Sequence, residues 1–170
     1  MTYLTKSLWY EPIVLGTIDD DDIWNSLPAS AGVYVIMRDS AIPRIGGVDD
    51  MGIIYIGKSE NLRERLWKFW TVKNHIASDF LWTHPTLAQA ILNSKHIKKA
   101  EDVEKYLGKI KARYCAPIDR DFLEEAERTL LFTYIEHFGE APPLNLSLPR
   151  RWHQLPAKRE LRWAQEGLCI

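Results

Sequence analysis

Cysteine is scarce in this chain. Cys115 and Cys169 are the only two in 170 residues, too few for a disulfide framework and without metal-ligand spacing. No apolar run approaches the roughly 20 residues needed to cross a bilayer, and Lys6 is not followed by a hydrophobic stretch. Neither a membrane span nor a secretory signal is therefore expected, and a cytoplasmic setting follows by default. Charge of one sign is also lacking: 22 Lys and Arg stand against 23 Asp and Glu, a net of −1. That argues against a protein that holds nucleic acid by indiscriminate positive charge. Repeats and low-complexity segments are absent from the sequence.

What is present suits one globular domain over residues 1–170, with 46% apolar and 26% charged residues and length enough for a proper core. The balanced charge is segregated. Residues 1–31 carry one cation and five anions, including Asp19 to Asp22, and residues 119–127 repeat that ratio. Residues 95–113 carry seven cations and three anions, and residues 150–163 five and one. Basic faces of this kind suit phosphates and acidic clusters suit a metal, although solvated helix faces give the same pattern.

In chain order, the apolar residues Leu8, Trp9, Tyr10, Ile13, Val14 and Leu15 form an extended arm or edge strand within an N-terminal arm, 1–26. The β-branched runs Gly32 to Met37 and Ile53 to Gly57 read as two strands joined by an unusually long polar connection, Arg38 to Gly52. Asn61 and Glu64 have capping-box spacing, and Leu62, Leu66 and Phe69 share a helical face behind them. Residues 71–108 read as helical pieces forming an insertion, with scattered His75, His84 and His96. Lys109 to Ala116 alternates as a third strand. Asp121 with Glu124 suggests a second capping box before a helix over Glu124 to His137, which Gly139 ends. In a basic C-terminal extension, 147–170, Pro156 and Gly167 bracket a last short helix.

Some side chains stand out against this frame. Tyr34 and Tyr55 each lie in a strand that also carries glycine, which lets backbone approach a ligand closely. Lys58 opens a cation-bearing helix start. Arg65 falls about 60° from Leu62 on a helical wheel, at the edge of the buried stripe, where it snorkels or points into a cleft. Glu127 shares a helix face with Leu130, Leu131 and Tyr134, an expensive place for a carboxylate without a partner or a cation. Asn145, after Pro142-Pro143-Leu144, is a turn residue whose amide could tie the loop to a neighbouring face.

These elements in this order resemble the GIY-YIG nuclease family. The residues that carry the resemblance are Leu27-Pro28 through Gly32-Val33-Tyr34, Tyr55-Ile56-Gly57-Lys58, Asn61-Leu62 through Arg65-Leu66, Glu127 with Leu130-Leu131, and Pro142-Pro143-Leu144-Asn145. They span a core of about residues 27–146. The resemblance implies an α+β (α/β layered) fold: a small three-stranded antiparallel sheet flanked by helices, here with a helical insertion. It implies metal-dependent hydrolysis of DNA phosphodiester bonds, as in excision-repair incision subunits, homing endonucleases and some restriction enzymes. By the same resemblance Tyr34 is a general base or water-positioning group, and Tyr55 contacts the phosphate or its water shell. Arg65 neutralises the scissile phosphate, and Glu127 binds Mg²⁺ or Mn²⁺. Lys58 matches a lysine of the repair-type members, and Asn145 an asparagine that supports the site. For Tyr34 to serve as base near neutral pH, Lys58 or the metal would have to lower its pKa.

Two features depart from the family pattern. The 20 residues between Tyr34 and Tyr55 exceed the usual spacing, which makes the Arg38 to Gly52 loop a candidate contact for substrate or a partner. Phe69 stands where many relatives place His or Tyr. The expected partner is DNA, with no membrane association, and a homodimer only if the enzyme is of the restriction type. The alternative function is a catalytically inactive module of this fold that binds DNA or a protein.

Overall fold

The computed structural model describes residues 8–14, 24–67, 109–149, 156 and 158–170. The tetra-Asp run, Phe69, the 71–108 insertion with its lysines and histidines, and Arg150 to His153 lie outside the described residues.

The fold is mixed α and β, built on an antiparallel sheet. Its long strands are β3 (Gly32–Met37), β6 (Ile53–Ser59) and β7 (Lys111–Ala116), with β3 central, paired to β6 on one side and β7 on the other. All six residues of β3 are buried, which is why its sequence is a continuous apolar run and not an alternating one. The N-terminal apolar residues resolve as edge strands. β1 (Leu8–Trp9) and β2 (Ile13–Val14) both pair antiparallel to β7, extending the three long strands to a five-stranded sheet.

Helices cover both faces. On one, α1 (residues 62–67) buries Leu62 and Leu66 against Tyr34, Ile36 and Tyr114. Asn61 caps it: the Glu64 N–H donates to Asn61 Oδ1 at 3.3 Å, and the Asn61 side-chain amide donates back to Glu64 Oε1 at 2.9 Å. The Asn61 backbone N–H goes to Ser59 Oγ instead, so the box closes through side chains. On the other face, α2 (Leu123–Phe138) packs Ala126, Leu130, Leu131 and Tyr134 onto Val33, Val35 and Ile56. The expected Asp121 cap is not formed. Asp119 caps a 3₁₀ turn over Arg120–Phe122, and α2 starts directly behind that turn with no side-chain cap. Gly139 ends α2 at φ 77°, a conformation that favours glycine.

The last helix, α3 (Lys158–Leu168), lies on α2 through Trp163, Ala164 and Leu168. The helix fills the bracket read from Pro156 and Gly167 to within one residue, with Gly167 next to its last residue. Gly167 sits inside α3 because a Cβ there would lie 2.1 Å from the Trp9 ring. Arg113 donates to the carbonyls of Glu166 and Gly167 at 2.9 and 3.3 Å, a cation at the negative end of the helix.

The connection from Arg38 to Gly52 is an ordered hairpin. β4 (Ile42–Arg44) pairs with β5 (Gly47–Asp49) through a two-residue turn, and the turn docks on the end of α2, with Gly46 N–H donating to Phe138 O at 2.8 Å. Buried Asp49 locks the base: its Oδ2 accepts from Ile53 N–H and from the Tyr134 hydroxyl, each at 2.8 Å. Arg44 Nε donates to the same hydroxyl at 3.0 Å.

Candidate functional site

The site forms around β6, an edge strand of the sheet. Tyr34 lies directly opposite Gly57, and the missing side chain of Gly57 is what lets the ring lie flat across the strand. A Cβ there would fall 2.6 Å from Tyr55 Cε1 and 2.7 Å from the Tyr34 hydroxyl oxygen. Tyr55, two residues before Gly57, lies on the same face by ordinary strand alternation, and a β-bulge sits on its far side. Ile36 faces Tyr55 but Met37 faces Ile53, so Ile54 is the extra residue. The bulge lets Ile54 pack on the α1 side while Ile53 packs toward α2. The two rings sit 6.0 Å apart between centroids, and their hydroxyls share a hydrogen bond.

Burial pushes the Tyr34 hydroxyl well above the ordinary phenol range, with Tyr55 and Glu127 adding to the rise and Arg65 opposing it. The required lowering of Tyr34 is therefore not met by this arrangement, and Lys58 is engaged elsewhere. Its Nζ lies 3.1 Å from Glu127 Oε2. Tyr34 is a neutral phenol that can donate or accept a hydrogen bond, not a resting phenolate.

Glu127 comes from the second turn of α2 and meets Lys58 where β6 emerges beyond Ile56. Only 14% of its side chain is exposed. Burial raises its carboxyl above the ordinary range, against the pull of Lys58 and Arg65 and with Glu124 adding to the rise. Arg65, half-buried on α1, makes no side-chain hydrogen bond or ion pair among the described residues. Its charge is nonetheless felt by both Tyr34 and Glu127.

Asn145 closes the edge. Its amide accepts from Ile56 N–H at 2.9 Å and donates to Ile56 O at 2.8 Å, imitating one more strand residue. Beside it Leu144 N–H donates to Ile54 O at 3.0 Å. Asn145 thus ties the Pro142–Leu144 turn to the strand between the two functional faces, and both ends of its amide are already committed to backbone.

Five of the six residues singled out from sequence converge here, from β3, β6, α1 and α2, with Asn145 holding the wall. A cleft of about 260 Å³ is lined by Tyr55, Lys58, Glu124, Glu127, Asn145 and Leu146, among others. Tyr34 lies beneath Tyr55. Glu124 and Leu146 were not legible as site residues. The three-residue spacing of Glu124 from Glu127 was the available signal, but its place near a helix start suggested only a capping box with Asp121. Leu146, 77% exposed at the rim, carries no chemical signature. Glu127 and Glu124 offer hard oxygen donors on one wall; among the described residues no group of three or more His, Cys, Asp and Glu gathers. No helix among the described residues is long and apolar enough to cross a membrane. Comparison with family models, curated proteins and solved structures returns no match.

Proposed function

We propose that this chain is a metal-dependent DNA endonuclease of the GIY-YIG type, hydrolysing phosphodiester bonds at the β6 edge. The observation that carries this reading is the convergence of Tyr34, Tyr55, Arg65 and Glu127 on one edge, although they come from four elements and the first and last lie 93 residues apart in sequence. The order β3, β6, α1, β7, α2, with the Pro-Pro-Leu-Asn turn on the sheet edge, supports the same family.

The residues suit the chemistry. Hydrolysis of a phosphodiester needs an oriented water and cationic stabilisation of a charge-rich transition state. The hydrogen-bonded tyrosine pair supplies rigid hydroxyls that orient a water while remaining neutral. Arg65, with its guanidinium uncommitted among the described residues, is available to a phosphate oxygen. Glu127, with Glu124 on the same wall, fits Mg²⁺ or Mn²⁺, hard ions that keep several waters and accept phosphate oxygens as ligands. Bound there, such an ion would supply Lewis-acid stabilisation of the phosphate and acidify a water. Asn145 fixes the strand from which Tyr55 and Lys58 project.

The test is supercoiled plasmid incubated with pure protein and Mg²⁺ or Mn²⁺, beside Glu127→Ala. Nicking by the wild type and at least about 10²-fold less by the variant is expected. Absence of nicking across metals and salt concentrations would favour the inactive binding module.

A further inference from the structure

The geometry points to Lys58 as an exchangeable counter-ion: it holds the Glu127 carboxylate until a divalent cation arrives, then yields that carboxylate and turns to the substrate phosphate. This rests on the nuclease reading for the phosphate, but not for the exchange itself.

Glu127 is mostly withdrawn from water, and a buried carboxylate needs a cation. In this structure the cation is Lys58 Nζ, 3.1 Å from Oε2. The ammonium therefore stands on an oxygen that a divalent ion would use. Lys58 is built to leave. Its side chain is 35% exposed, it lines the open cleft beside Glu127, and its stem carries four rotatable carbons. Glu127, by contrast, sits on a packed helix between Ala126 and Arg128, both buried, and has less freedom to move.

Charge counting makes the exchange reasonable. Lys58 faces Glu124 and Glu127 in the cleft, and the charge of Arg65, which does not line it, also acts on Glu127. A divalent cation added to that set repels the ammonium, and the incoming phosphodiester, one negative charge, gives it a new partner. Lys58 thereby spares the protein an uncompensated buried charge before loading and leaves the carboxylate already aimed into the cleft. The cost is weaker metal affinity in the absence of substrate, because cation and lysine compete for one carboxylate.

The experiment measures Mn²⁺ binding alone, without nucleic acid, by the loss of the free-ion paramagnetic signal at neutral pH and constant ionic strength. Lys58→Met is expected to bind Mn²⁺ about tenfold or more tightly than wild type, since the competitor is gone. Lys58→Arg, which keeps the charge, should stay within about threefold of wild type, and Glu127→Gln should bind least. Equal or weaker binding by Lys58→Met overturns the proposal, as does failure of both wild type and Lys58→Met to bind at millimolar Mn²⁺. Should Lys58→Met not fold, the wild type serves: the ¹⁵N-ammonium resonance of Lys58 must shift on titration with Mg²⁺, and an unmoved signal while the ion binds overturns the exchange. A wild type that binds Mn²⁺ as expected but never nicks DNA would sink the nuclease reading and leave the exchange standing.

Discussion

The hydroxyl of Tyr34 crosses over Gly57, its cross-strand partner, in space that any side chain at position 57 would occupy. Strand pairing thereby sets the height of the buried tyrosine, and Tyr55, two residues before Gly57, rests against it. Gly57→Ala is expected to push both rings aside. Overpacking of this kind costs about 1–3 kcal/mol, and a displacement near 1 Å at a reacting centre costs about 10²-fold in rate. Urea unfolding and plasmid nicking measured together check this. A variant of wild-type activity would mean that the tyrosine pair does not position the reaction.

Arg65 should separate activity from stability. Arg65→Ala removes a charge on which no side-chain hydrogen bond or ion pair among the described residues depends. Stability is expected to stay within about 0.5 kcal/mol of wild type, while nicking falls about 10²–10³-fold. Destabilisation well beyond that range would show that the guanidinium has a structural task.

How much of this was readable in advance follows the range over which each interaction acts. The Asn61–Glu64 cap, the buried strands and the Leu62/Leu66 stripe depend on neighbours within a few residues, and spacing revealed them. The β-bulge at Ile54 did not show, because it is defined only by the register against Ile36 and Met37 on another strand. The Asp49–Tyr134 hydrogen bond joins positions 85 residues apart; Asp49 read as loop polarity and Tyr134 as core. Gly167 marked the helix end to within one residue, but the reason for a glycine there, the ring of Trp9 brought in from the other end of the chain, did not show. Glu127 was legible because a carboxylate on an apolar helix face needs a tertiary explanation, but which cation meets it was not.

The Asn145 amide replaces a missing strand, so its loss should be felt along the edge of β6. Asn145→Ala leaves both backbone groups of Ile56 without their present partners and should cost about 1–3 kcal/mol. Asn145→Asp should cost more at neutral pH, since a carboxylate oxygen would then face Ile56 O where an N–H now donates. Midpoints of chemical denaturation for the two variants test the order. Equal midpoints would mean that the turn is held by Leu144 and Pro142 without the amide.

The β4–β5 hairpin hangs on a three-member chain in which Arg44 donates to Tyr134 and Tyr134 donates to Asp49. Tyr134→Phe removes the middle link, leaving Asp49 buried with the Ile53 N–H as its remaining hydrogen bond. A cost of about 2–3 kcal/mol is expected, with faster proteolysis within residues 42–49. Asp49→Asn, which retains an acceptor for the Tyr134 hydroxyl, should cost less. The double variant should depart from additivity by more than about 0.5 kcal/mol, as residues in one network do; strict additivity would mean that hairpin and helix are not coupled through this bond.

Glu127 gives the site its pH signature. Its carboxyl titrates above the ordinary range in the folded chain, chiefly through burial, with Lys58 pulling the other way. Between the unfolded and folded pKa values the folded state therefore holds more protons than the unfolded one, and unfolding free energy falls as pH rises through that window. The contribution is fully favourable below the unfolded value, near 4.5, and is lost once pH passes the raised folded value. Glu127→Gln removes this slope. At neutral pH it should also be more stable than wild type by about 1 kcal/mol, or ~2–4 °C in Tm for a chain of this size, while losing nicking. Melting curves of both proteins across pH 4 to 8 are the check. A variant that is less stable at neutral pH would mean that the Lys58 pair outweighs the burial cost, and that Glu127 is kept for structure more than for a cation.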